Sequence, residues 1–132
     1  MKRVVKEILI GAFAAVCFLP ASCSKSESSI EQVLERANAE YKMRNLPEAM
    51  DAAIEAIDKA GSSGADSLKA AALYLAANIA MMNMEDSLSW VYAEEAHNLA
   101  ISSNLPLQRC QVLLLKGKLC NYACISEANN RN

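Results

Sequence analysis

The chain holds five cysteines and a single histidine, the side chains best suited to nucleophilic, acyl-transfer or metal chemistry near neutral pH. Their placement narrows what they can do. Cys110, Cys120 and Cys124 are spaced by ten and then four residues, which matches neither a zinc site nor a CxxC redox motif. Cys120 and Cys124 fall one helical turn apart, where two sulfurs rarely reach disulfide geometry. These three cysteines read as small buried apolar residues, and a bridge from Cys110 to another part of the chain stays open in an oxidising compartment. His97 reads as a satisfied or partly buried histidine. Glu94 and Glu95 are consecutive, so on a helix they diverge by about 100° and cannot flank one bond. Lys116-Gly117-Lys118 lacks the upstream glycine and the following Ser/Thr of a phosphate loop. Met81, Met82 and Met84 read as adaptable packing, and Trp90 as a packing anchor. No nucleophile–base pair can be assembled, so the residues argue against an enzyme and imply no cofactor or metal.

Cys23 stands apart. Lys2, Arg3 and Lys6 precede the apolar run Ile8–Leu19, interrupted only by Gly11. Crossing a bilayer takes about 20 apolar residues. This shorter run fits the hydrophobic core of a secretory signal instead. Pro20 breaks the helix, and Ala21-Ser22 are the small residues a signal peptidase requires. The stretch Leu19-Pro20-Ala21-Ser22-Cys23 resembles the lipobox of bacterial lipoproteins, and the resemblance implies cleavage after Ser22 and acylation of Cys23. Several acyl chains hold a protein on a membrane where one does not. Ser24 rather than Asp after the cysteine implies the outer membrane over the inner membrane of the cell envelope. An ordinary secretory signal that leaves Cys23 unmodified is the alternative.

Removing the leader leaves residues 23–132, enough for one small domain. The leader carries three cations against Glu7, so the chain's −2 becomes −4 for the mature part. A mildly acidic chain has no electrostatic case for nucleic acid.

The elements that must position these groups are helices. Residues 23–29 read as a lipidated cysteine and polar tether. Ser28-Ser29-Ile30-Glu31 has the form of a capping box, and Ile30, Val33, Leu34, Ala37 and Tyr41 recur at helical intervals. The spacing predicts helices over about 29–43, from Pro47 to Gly61, 66–83, 86–103 and 106–126, with residues 127–132 a polar tail. Asp66-Ser67 and Asp86-Ser87 suit helix caps, and the repeated Asp-Ser-Leu also resembles an O-glycosylation acceptor. No run of alternating β-branched residues predicts a strand, so the chain is all-α.

Small residues recur between hairpins. Ala49 and Ala56 match Ala93 and Ala100 at a shift of 44, and Ala37, Ala76 and Gly117 correspond at shifts of 39 and 41. This pattern resembles the tetratricopeptide repeat over residues 30–126, although its period is longer. The resemblance implies antiparallel helical hairpins in a short right-handed superhelix, and plain antiparallel hairpins are the alternative. It further implies a protein- or peptide-binding groove built from Asn38, Tyr41 and Lys42 on the first helix and Lys118, Asn121 and Tyr122 on the fifth. Leu34 replaces the lysine of a carboxylate clamp. The expected role is a membrane-tethered interaction scaffold; the alternative is the sensor part of a longer membrane-linked transcriptional regulator. Val112, Leu113, Leu114, Leu115, Leu119 and Cys120 nearly surround the fifth helix with apolar groups, so a missing neighbour or self-association through that helix is expected.

Overall fold

A computed structural model describes residues 25–131; Cys23 and the leader lie outside the described residues. Five helices pack together, with no strand among the described residues: α1 over residues 25–42, α2 over Leu46–Ser63, α3 over Asp66–Met82, α4 over Asp86–Ser102 and α5 over Pro106–Asn130. The all-α expectation of antiparallel hairpins is met. Ser103, after the end of α4, donates a hydrogen bond to Asp66 at the start of α3 (2.6 Å), so these helices run in opposite directions. Gln108 of α5 reaches Ser67 of α3 (2.9 Å), which places those two N-termini side by side.

The helices obey a strict metre. α2 to α5 begin at residues 46, 66, 86 and 106, a spacing of 20. The residue two places before each start is left-handed: Arg44 (φ 65°), Gly64 (φ 69°), Met84 (φ 62°) and Asn104 (φ 52°). The residue after each of these donates its amide five residues back, from Asn45 to Glu40, Ala65 to Ala60, Glu85 to Ala80 and Leu105 to Ala100, at 2.8–3.0 Å. This is the bond that closes a Schellman helix end. The same four residues then offer their carbonyls to the next helix, to Ala49, Lys69, Ser89 and Arg109. One turn geometry is thus used four times, and a hairpin occupies 40 residues.

That metre corrects the repeat register read from the sequence. At a uniform shift of 40, Ala53, Ala56 and Ala60 of α2 superpose on Ala93, Ala96 and Ala100 of α4, and all are buried. Ala37 superposes on Ala77 rather than on Ala76, and the next in the series is Gly117. Alanine at these points lets helix backbones approach closely. Larger side chains would force the helices apart, at about 1–3 kcal/mol for an overpacked site. Ser89 occupies the place of Ala49 and is fully buried; its Oγ donates to the Ala77 carbonyl at 2.7 Å, which removes the cost of burying a hydroxyl.

Three packed clusters join the helices. Ala37 of α1 meets Ala49, Ala52 and Ala53 of α2 and Leu75, Ala76 and Ile79 of α3. Val33, Ala56 and Ala72 form a smaller contact beside it. Leu73 and Ala77 of α3, Ala93 and Ala96 of α4, and Val112, Leu115 and Leu119 of α5 form the other large cluster.

Several local expectations are corrected. α1 is already helical at residue 25, so Ser28 and Ser29 lie inside it and form no capping box, and most of the polar tether is helix. Asp66 and Asp86 are the first helical residues; the N-caps are Ala65 and Glu85, neither with a side-chain cap bond. The carboxylates still face the positive helix end. α2 continues through Gly61 to Ser63, and α5 continues past Ser126 to Asn130. Cys110, Cys120 and Cys124 are free and exposed rather than buried. Trp90 is 38% exposed, with Lys116 Nζ 5.2 Å from its ring centre, so it is a cation–π partner at the surface. Met84 is exposed in its turn, while Met81 and Met82 are half-buried.

Candidate protein-binding groove

Parallel placement of the odd-numbered helices brings α1, α3 and α5 to one side. Between them lies a groove of about 390 Å³ lined by Leu34, Asn38 and Tyr41 of α1, Ala71, Tyr74, Leu75 and Asn78 of α3, and Gln111 of α5. Asn38 and Asn78 are 40 residues apart and behave alike. Asn38 Nδ2 donates to the Leu34 carbonyl (3.0 Å) and Asn78 Nδ2 to the Tyr74 carbonyl (2.8 Å). Each amide nitrogen is therefore spent inside its own helix, and each Oδ1 is left as an acceptor. Two tyrosines, Tyr41 and Tyr74, supply apolar faces with hydroxyl tips. No charged side chain lines the groove, so it offers no clamp for a carboxylate.

Of the residues expected from the sequence, Asn38 and Tyr41 line this groove. Lys42 is exposed at the end of α1. Lys118 and Asn121 are exposed on α5. Tyr122 lines a separate cavity of about 690 Å³ with Met81, Met82 and Ile125, where the C-terminal part of α5 overhangs the α3–α4 turn. The six residues occupy equivalent positions, 80 apart in pairs, but α5 displaces its members from the α1 end. Sequence reasoning missed Tyr74, Asn78 and Gln111. The 40-residue shift that links Asn38 to Asn78 was the signal for the second asparagine; unequal shifts of 39, 41 and 44 hid it.

Away from the groove lining, ion pairs tie odd-numbered helices to even-numbered ones. Lys116 of α5 lies 2.7 Å from Glu94 of α4, and this hydrogen bond holds the Glu94 carboxyl below the ordinary 4.5. Glu55 of α2 accepts from Lys59 at 2.8 Å and from Arg36 of α1; these bonds, Lys59's the larger, lower it likewise. His97 is partly buried, one of the two forms expected of it, and its Nδ1 is buried without a hydrogen-bond partner. Among the described residues no three His, Cys, Asp or Glu side chains gather as a metal site, and no helix is long and apolar enough to cross a membrane.

Comparison of the chain with protein-family models, curated proteins and solved structures returned no match.

Proposed function

We propose that this protein is a membrane-tethered interaction scaffold of the bacterial cell envelope, a lipoprotein anchored through Cys23 whose tetratricopeptide-like hairpins hold a peptide segment of another protein. The observation that carries this reading is the uncharged groove between α1, α3 and α5. Two asparagine Oδ1 atoms at equivalent positions suit the backbone amides of a bound chain, and Tyr41 and Tyr74 suit its apolar side chains. The uncharged lining of amide, tyrosine and aliphatic groups supports binding as its chemistry.

The test has two arms. A photo-crosslinking amino acid at Gln111 of the full-length protein, expressed in cells, captures a discrete partner, and Asn38→Leu with Asn78→Leu abolishes the adduct while the helical circular dichroism persists. An adduct unaffected by both substitutions overturns the groove. Metabolic labelling with an acyl-chain probe marks the wild type and not Cys23→Ala; equal labelling of both overturns the anchor.

A further inference from the structure

α5 differs from α1 and α3 in one respect. The residues of α3 that face α4 include Ala70, Leu73, Ala77 and Ala80, all fully buried. Their equivalents 40 residues on are Cys110, Leu113, Gly117 and Cys120, and all four are exposed. The opposite set on α5, Val112, Leu115 and Leu119, is buried against α3 and α4. α5 therefore carries both faces of an interior helix, and only one is covered among the described residues. The other end of the array is different. On α1 the residues equivalent to Val112, Leu115 and Leu119 are Gln32, Glu35 and Ala39, exposed and mostly polar.

The same register states what fits the uncovered face. α1 and α3 are each covered by a helix carrying Ala-x-Glu-Ala-x3-Ala: residues 53–60 in α2 and 93–100 in α4. The glutamate of each meets a cation of the helix it covers. Glu55 pairs with Arg36, and Glu95 lies 3.3 Å from Lys69. Arg109 stands 40 residues after Lys69, exposed and with no ion pair among the described residues. We infer that the outer face of α5 docks an acidic amphipathic helix of a partner protein, bearing small residues at the alanine places and a carboxylate opposite Arg109. A second α5 is the poorer occupant, because over residues 106–126 this helix has Arg109, Lys116 and Lys118 and no acid. This inference is independent of the groove.

The probe is a dye-labelled peptide with the sequence of residues 45–65, titrated with full-length protein in detergent micelles and read by fluorescence anisotropy. A saturable rise is expected. A side chain at Gly117 meets nothing within 4 Å in the folded chain. Gly117→Leu therefore leaves the melting temperature unchanged or higher, yet weakens the peptide by about tenfold or more, the equivalent of losing one good contact. Arg109→Glu weakens it too, and a peptide with Glu55→Lys restores binding to that variant. No saturable rise, a rise indifferent to Gly117→Leu, or a dimer in analytical ultracentrifugation that the peptide does not dissociate would each overturn the inference.

Discussion

A leucine's neighbours on α5 show how one residue decides between core and surface. Leu113, Leu114 and Leu115 are consecutive, but Leu115 is 1% exposed whereas Leu113 and Leu114 are 48% and 70% exposed. Leu115→Asp places an unpaired carboxylate among Leu73, Ala96 and Val112, at a cost of several kcal/mol, about 3 or more. Leu113→Asp meets water and changes stability by about 0.5 kcal/mol, as other surface substitutions do. Urea titrations of both variants check the contrast, and equal losses would place both residues in the core. The sequence does not make this distinction, because three leucines in a row satisfy any helical phase. The exposed cysteines have the same origin. Cys110 and Cys120 have the size and spacing of core residues on an interior helix, and they are exposed because no described helix covers that face of α5.

Among the elements, the turns were least visible in advance. Each needs a left-handed residue, but the four positions hold Arg44, Gly64, Met84 and Asn104, of which only glycine and asparagine favour that backbone. Proline and glycine therefore marked the neighbourhood of a turn without its register. The helices themselves were legible because apolar residues recur at three and four, and Ala53, Ala56 and Ala60 set their close packing. Met84 is 88% exposed and makes its turn at φ 62° against the preference of its side chain. Met84→Gly relieves that conformation and raises stability by about 1 kcal/mol, read as a higher melting temperature. Gly64→Ala, at φ 69°, acts in the opposite direction by a similar amount.

For the whole molecule, the ion pairs between helices tie stability to pH. Glu55 and Glu94 have carboxyls lowered in the folded state, so their pairs contribute above the ordinary value of 4.5 and are lost as pH falls below it. Both glutamates are solvent-exposed, so the effect is modest. Thermal melts from neutral pH downward should fall off below 4.5, and Glu55→Gln with Glu94→Gln should flatten that decline; an unaltered decline would assign it to other carboxylates. Half of the groove was legible, through Asn38 and Tyr41 on a regular helix. The other half was not, because Tyr74 and Asn78 sit among the alanines of α3, where nothing local sets them apart until the 40-residue metre is known. That metre also governs how the chain folds. Among the described residues, α2 to α5 touch helices one or two places along, so each of these contacts closes a short loop and loses little chain entropy. α1, α2 and α3 can therefore lock together while later residues are still being synthesised, and α5 arrives last on a surface already built.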